Sequence, residues 1–98
     1  MADLPDYEIF KSELNGKFRI HVEGHGPVEL TMTELSELRS SGRNESFAVH
    51  FLGPKEYVLP QRTYSFQNEN LGDLDLMIVP IKQTNDGVYY EAIFNRLL

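Results

Sequence analysis

The spacing of hydrophobic residues changes after residue 16, and the change separates a helical segment from a long β region. Near the N-terminus the hydrophobic residues fall three or four positions apart, at Leu4, Tyr7, Phe10 and Leu14. This spacing places them on one face of an α-helix, with Asp3 as the capping residue before it and Gly16 as the stop after it. The pattern predicts a short amphipathic helix at about 4–14 that covers an open end or face of the sheet.

From residue 17 onward hydrophobic and polar residues alternate, which is the pattern of β-strands with one buried face. Turn-forming stretches separate the alternating runs, as in the glycine-rich turn at 24–27 and the hairpin turn at 84–87. The pattern predicts six strands, at about 17–23, 28–33, 46–52, 57–66, 74–81 and 88–95. The run 76–79 is hydrophobic at every position, which predicts that its strand is the most buried.

Three stretches have a less regular pattern. Leu35 and Leu38 lie three positions apart, so the segment 33–38 is either a helical turn or a continuation of the strand through a bulge. The composition of 40–44 predicts a loop. Pro60 lies inside the strand at 57–66 and predicts a bend there, because proline has no N–H for the ladder.

Six short strands with hairpin turns and no long intervening helices predict a mainly β domain with a short N-terminal helix. The antiparallel strands form a small barrel or a sandwich. The 98 residues are enough for one hydrophobic core, so we expect a single domain over 1–98. A barrel of about six strands is filled by its own side chains, which argues against a carrier with a large internal cavity.

The charge of the chain argues against several classes of partner. Nine Lys and Arg against fifteen Asp and Glu give a formal net charge of −6 at pH 7, whereas nucleic-acid binding requires clustered cations. No hydrophobic stretch approaches the roughly 20 residues of a membrane-spanning helix, and the acidic N-terminus is unlike a signal peptide. The chain also has no cysteine. We therefore expect a cytoplasmic protein without a nucleic-acid or membrane partner.

Motifs for catalysis are weak in this sequence. His21, Glu23 and His25 are the closest grouping of metal-ligating residues, but without helical HExxH spacing they are expected to form an exposed strand face and a turn. His50 would join them only in one particular strand register. No motif of an activated serine or threonine is present. We therefore expect no enzyme, no cofactor and no metal, and we assign no catalytic residue.

Two small sets of residues are candidates for recognition. The first set is polar and lies near the expected strand bends, at Gln61, Tyr64, Glu91 and Asn95. Such groups either satisfy backbone donors and acceptors locally or form a recognition patch, and local hydrogen bonding is the favoured interpretation. The second set is Tyr57 and Tyr89, whose positions predict exposed aromatic side chains of the kind that anchor protein interfaces.

Several segments resemble a family of small bacterial proteins known as a domain of unknown function. The resemblance is carried by FAVHFLGP at 47–54, LPQRTY at 59–64 and YEAIFN at 90–95. Members of that family are often encoded beside phage-tail-collar-like proteins of the microcystin-dependent type. The resemblance therefore implies a role near a tail-like or surface assembly, and it implies no activity. The chain departs from the family at 66–68, where FQN stands in place of a frequent histidine.

The leading hypothesis is a non-catalytic protein-interaction or assembly module, an accessory protein of a phage-tail-like assembly with a tail-collar-like protein as its expected partner. The alternative is a small-ligand or carbohydrate-binding β domain, which would need a concave pocket lined by tyrosines. A metal-dependent hydrolase built on His21, Glu23 and His25 ranks third. Self-association into a homo-oligomer through strand edges stays open.

Overall fold

The computed structural model describes residues 7–97 of the chain. Helix α1 spans Tyr7–Ser12, and seven strands follow it in the described part of the chain. In chain order they are β1 (Lys17–Val22), β2 (Gly26–Leu35), β3 (Arg39–Ser41), β4 (Asn44–Gly53), β5 (Arg62–Asn68), β6 (Gly72–Thr84) and β7 (Gly87–Leu97). The predicted start of the helix, with Asp3 and Leu4, lies outside the described residues.

Six of the described strands form a closed antiparallel ring. Each strand pairs with the next in the order β2, β1, β5, β6, β7 and β4, and the pairing of β2 with β4 closes the ring. Among the described strands, β3 lies outside this ring and pairs with β4 alone. The predicted mainly β fold with about six antiparallel strands and a short N-terminal helix is therefore confirmed, and its form is a barrel.

Alternate side chains point into the barrel, because successive residues of a strand face opposite sides. In β1 exposed and buried residues alternate along the whole strand. The rings of Phe18, Phe51 and Phe66 meet in the interior, with centroid distances of 5.2, 6.2 and 5.2 Å. Burial of each such side chain contributes about 1.5–3 kcal/mol of hydrophobic stabilisation. The filled interior is therefore a major source of stability.

Helix α1 lies across the end of the barrel at which β1, β4 and β6 begin. Phe10 is fully buried, and its ring contacts those of Phe47 and Phe94 at centroid distances of 5.7 and 4.8 Å. A helix of six residues makes too few internal hydrogen bonds to be stable alone. These aromatic contacts with the barrel therefore hold the helix in place.

The observed helix ends earlier than the predicted one. Asn15 has a φ of 70°, and the N–H of Gly16 donates to the carbonyl of Glu13 over 2.7 Å. The chain consequently leaves the helix after Ser12. Leu14, which the helical spacing places on the buried face, is 44% exposed.

A buried polar network joins the chain after α1 to the turn between β5 and β6. The side-chain amide of Asn68 donates to Glu13 Oε1 over 3.0 Å and to the Lys17 carbonyl over 3.1 Å. The side-chain amide of Asn70 donates to Glu13 Oε2 over 2.9 Å. Both oxygens of the buried Glu13 carboxylate thus have donors, which offsets the cost of removing the charge from water.

The predicted strand at 57–66 is wrong over its first half, which is irregular in structure. Leu59 is buried there, and its N–H donates to the hydroxyl of Tyr90 over 2.8 Å. Pro60 follows, and its carbonyl accepts a hydrogen bond from the hydroxyl of Tyr64 over 2.8 Å. Tyrosine hydroxyls therefore replace the ladder partners on both sides of the proline.

The structure also differs from, or decides between, the sequence predictions for two other stretches, 40–44 and 33–38. The predicted loop at 40–44 contains the hairpin between β3 and β4, which turns at Gly42 with a φ of 60°. At 33–38 the strand alternative holds, because β2 continues to Leu35 through a register shift after Met32. The ends of the other strands lie within three residues of the predicted ends.

Gly87 begins β7 and lies against the end of β4. Its φ is +146°, and a Cβ at this position would overlap the backbone carbonyl of Gly53. We expect Gly87→Ala to lower the free energy of unfolding by about 2–4 kcal/mol, because an unfavourable φ combines with a backbone overlap. Gly42→Ala is the matched control, since Gly42 also has a positive φ but has open space around it. We expect the control to lose about 1 kcal/mol in urea denaturation, and equal losses would contradict this account.

Burial raises the pKa of the Tyr90 hydroxyl, and the hydrogen bond from the Leu59 N–H only partly opposes this effect. The unfolded chain therefore releases the phenolic proton at lower pH than the folded chain. We expect the contribution of the protonated Tyr90 hydroxyl to the free energy of unfolding to be fully present below about pH 9. This contribution is expected to decrease as the pH rises above about 10. Urea unfolding across this range measures the fall, which is expected to be smaller in Tyr90→Phe. An equally steep fall in that variant would assign the effect to other groups.

Candidate functional site

Three titratable side chains form a row on the outer surface of the barrel. Glu34 of β2 pairs with His50 of β4, and His50 pairs in turn with Glu91 of β7. Residues that pair directly across antiparallel strands have their side chains on the same face, about 5 Å apart. The register of three strands therefore places these side chains together, and we call them the acid–histidine row.

The imidazole of His50 lies between the two carboxylates. Its Nε2 is 2.9 Å from Glu91 Oε2, and its Nδ1 is 3.3 Å from Glu34 Oε2. A neutral imidazole has one N–H and donates to one of these oxygens, whereas an imidazolium donates to both. His50 and Glu91 are half-buried, while the Glu34 side chain is 74% exposed. The shorter contact is therefore also the better shielded from water.

The row does not have the geometry of a metal site or of an activated nucleophile. The carboxylates contact opposite nitrogens of the ring, so the three groups do not converge on one point. Residues 7–97 include His21, Glu23 and His25, and in this range no group of three or more histidine or acidic side chains could hold a metal ion. The hydroxyl of Thr33 donates to the main-chain oxygen of His50 over 3.4 Å rather than to the ring. What the row can provide to a bound molecule is the charge of its carboxylates and hydrogen-bonding groups.

A groove opens beside the row, between the chain after α1 and strands β2 and β4. It has a volume of about 290 Å³ and is lined by Leu14, Thr33, Glu34, Leu35, Ser36, Ala48 and His50. We call it the α1 groove. A second surface groove of about 410 Å³ lies across β1 and β5 and is lined by Lys17, Phe18, Arg19, Glu29, Gln67, Asn68 and Glu69. Both grooves are open to solvent and lie outside the packed interior.

Hydrophobic side chains flank the row on the outer surface of β4, β6 and β7. We call this surface the β7 face, and it consists of Ala48, Leu52, Met77, Val79, Tyr89 and Ile93. The register of β4 with β7 places one hydrophobic pair on each side of the His50–Glu91 pair. Ile93 is 63% exposed and Met77 is 54% exposed. The prediction that the strand containing 76–79 is the most buried is therefore wrong, because β6 alternates and its last residues are exposed. The β7 face thus combines exposed hydrophobic side chains with a charged centre.

The four polar residues singled out from the sequence do not share one surface. Tyr64 is buried, and its hydroxyl donates to the carbonyl of Pro60. Gln61 is exposed just before β5, and Asn95 is exposed near the end of β7. Glu91 alone among the four belongs to the acid–histidine row.

Tyr57 and Tyr89 are both half-buried. The ring of Tyr57 stacks on that of His25, with a centroid distance of 4.1 Å and an interplanar angle of 9°. The Nζ of Lys82 lies 4.7 Å from the ring centroid of Tyr89. Tyr89 therefore contributes to the β7 face as a partly covered ring, while Tyr57 packs on the turn between β1 and β2.

The contact between His50 and Glu91 could not be predicted from the sequence. The alternation along β4 and β7 places both residues on the outer surface, opposite in parity to Phe51 and Tyr90. Their contact depends on the register between strands, and the two residues are 41 positions apart in the chain. Local alternation shows which face of the sheet a residue occupies, but not which residue of a remote strand lies opposite it.

The family model described as a domain of unknown function, DUF6916, matches residues 5–94 of the chain. No curated protein and no solved structure matches the chain. Within the part of the chain that the structure describes, no helix has the length and apolar character needed to cross a membrane. Function is therefore inferred from the surface of the molecule.

The half-buried contact between His50 and Glu91 predicts a measurable coupling of the two side chains. We expect the cycle of His50→Gln and Glu91→Gln to give a coupling of about 0.5–1 kcal/mol in the free energy of unfolding. The matched cycle of His50→Gln with Glu34→Gln is expected to give about 0.3 kcal/mol or less, because Glu34 is mostly exposed to solvent. Urea unfolding of the single and double variants measures both couplings. A larger coupling to Glu34 than to Glu91 would contradict this description of the row.

Proposed function

Because the chain belongs to the DUF6916 family, a domain of unknown function, we propose its role from the surface of the barrel. The domain is a non-catalytic protein-interaction module that binds a partner protein through the β7 face. The observation that carries the proposal is the exposure of Ile93 and Met77, at 63% and 54%, on the outer surface of neighbouring strands. Exposed hydrophobic groups that are gathered in one patch mark interaction surfaces.

The composition of the β7 face supports a protein partner. Its hydrophobic residues lie around the charged His50–Glu91 pair, and protein interfaces likewise combine hydrophobic contacts with a few hydrogen-bonding groups. Tyr89, one of its members, is a residue type that is enriched among the anchors of interfaces. Paired strands hold the backbone beneath these side chains in position, so binding orders little backbone that was mobile beforehand.

The contacts of the potentially reactive groups support binding over catalysis. Both ring nitrogens of His50 face carboxylates, and the Thr33 hydroxyl donates to a backbone carbonyl. General-base catalysis requires a ring nitrogen within reach of a substrate proton. A ring engaged on both sides is poorly placed for that role.

We propose that the partner is a component of a tail-like assembly, and in particular a tail-collar-like protein. The support for this step is the resemblance of the sequence to a family whose members are often encoded beside such proteins. In this role the domain acts as an accessory protein of the assembly, and the β7 face is the surface that contacts the partner.

Binding of a small ligand is a second candidate function, and the α1 groove favours it. Its volume of about 290 Å³ is close to the lower end of the range for ligand pockets. Carbohydrate recognition by stacking would need Tyr57 or Tyr89 in a groove. Neither tyrosine lines either of the two grooves described above. The exposed hydrophobic surface therefore favours a protein partner over a carbohydrate.

Ile93→Asp tests the role of the β7 face, because it places a charge at a position of that face that is 63% exposed. We expect at least about a tenfold loss of the bound partner, since removal of an interface anchor costs about 1.4 kcal/mol or more. The tagged full chain is expressed in its native host, and the co-purifying proteins are quantified by mass spectrometry. Recovery of a tail-collar-like protein with the wild-type chain would support the proposed partner. Recovery of other partners in the absence of a tail-collar-like protein would contradict it.

Val58→Asp is the matched control, because Val58 is 47% exposed and lies outside the β7 face. We expect this variant to recover the same partners as the wild-type chain. Both variants are expected to unfold within about 1 kcal/mol of the wild type, as urea denaturation measures. Partners that are kept by both variants, or lost from both, would show that the β7 face is not the binding surface.

A further inference from the structure

The α1 groove and the β7 face form one continuous surface. Ala48 and His50 line the groove, and in the ladder between β4 and β7 they pair with Ile93 and Glu91. Because β4 and β7 are neighbouring strands, a partner that covers the β7 face extends directly into the groove.

Glu34 is the acidic residue among the described lining residues of the groove, and no lysine or arginine is among them. Glu34 and Glu91 contribute −2 and His50 contributes at most +1, so the acid–histidine row keeps a net charge of −1 or −2. The Glu34 side chain is 74% exposed, and one of its oxygens faces His50. The carboxylate of Glu34 is therefore accessible to a cation carried by a partner.

Aliphatic side chains lie beside this carboxylate in the groove. Leu14 is 44% exposed after the end of α1, and Leu35 is half-buried at the end of β2. A ligand that carries an aliphatic group next to a cation matches both parts of the groove. The aliphatic group gains from burial against leucine, and the cation gains from the nearby carboxylate.

A second copy of this chain is a poor match for the same surface. In a two-fold symmetric dimer a patch meets itself, so the acidic groups of the two rows would approach each other. The formal charge of −6 on each chain adds to this repulsion. Charge complementarity therefore favours a basic partner over self-association.

We propose that the α1 groove receives a basic segment of the partner protein. A lysine or arginine side chain of that segment contacts Glu34, and a neighbouring aliphatic side chain packs against Leu14 and Leu35. The inference rests on the protein-binding role proposed above and names the chemistry of the partner. The same carboxylates repel an acidic segment, so the groove also contributes to selectivity.

Two short peptides test the requirement for a cation. The probe is acetyl-Gly-Leu-Lys-Leu-Gly-amide, and the matched probe has glutamine in place of lysine. Nitrogen-15 NMR titration of the full chain gives the Kd of each peptide from the shifts of Glu34, Leu35 and Ala48. We expect the lysine peptide to bind about fivefold more tightly than the glutamine peptide, which is the gain of a partly exposed ion pair.

Glu34→Gln is expected to remove this fivefold advantage, and Glu29→Gln is expected to keep it. Glu29 lies on the same strand but does not line the α1 groove. Because each variant removes one negative charge, the comparison separates the groove from the charge of the whole chain. Three results would overturn the proposal: no saturable binding of the lysine peptide, an advantage that survives Glu34→Gln, or one that is lost equally in Glu29→Gln.

The peptide titration and the purification with Ile93→Asp can fail independently. If the partner depends on Ile93 and the lysine peptide does not bind, the basic-segment inference is overturned and binding through the β7 face stands. If the lysine peptide binds through Glu34 and no partner depends on Ile93, the chemistry of the groove is supported and binding through the β7 face is overturned.

Discussion

The pairing of β2 with β4 is the interaction on which the rest of the structure depends. It joins β2 to the part of β4 beyond β3, both of which would otherwise be edges of an open sheet, and it tolerates a register shift after Met32. Such a bulge increases the local bend of a strand, which helps β2 to reach β4. Closure gives the inward side chains one shared interior, where Phe18, Phe51 and Phe66 meet. It also determines which outward side chains become neighbours.

The acid–histidine row is a direct result of this closure. β4 pairs with β2 on one side and with β7 on the other, so a single histidine of β4 meets carboxylates from two strands. The hydrophobic pairs of the β7 face come from the neighbouring ladder between β4 and β7, in which each is a pair of opposed residues. A surface defined by ladders is held in its binding geometry before a partner arrives. The interior and the proposed binding surface therefore depend on one set of strand pairings.

Local alternation predicted the fold class and most strands, because burial of one face of a strand leaves a period of two in the sequence. It failed around Pro60, where a bond from Leu59 to the Tyr90 hydroxyl takes the place of a ladder bond. It also missed the hairpin at 40–44, whose exposed polar residues show no alternation. The outward orientation of His50 could be predicted from its parity. Its contacts could not, because they depend on the register of strands that are remote in the chain.

The attachment of α1 has a consequence for the way the domain opens. Tyr7 and Phe10 contact aromatic rings of the barrel, and Glu13 just after the helix binds the turn between β5 and β6. The helix itself belongs to none of the ladders between strands. These contacts can break while every strand pairing remains, so undocking of the helix is a sub-global fluctuation with its own, lower free energy. Undocking of the helix would expose the rings of Phe47 and Phe94 to water, because Phe10 covers them. We therefore expect two cooperative units of unequal stability in a molecule that has one continuous core.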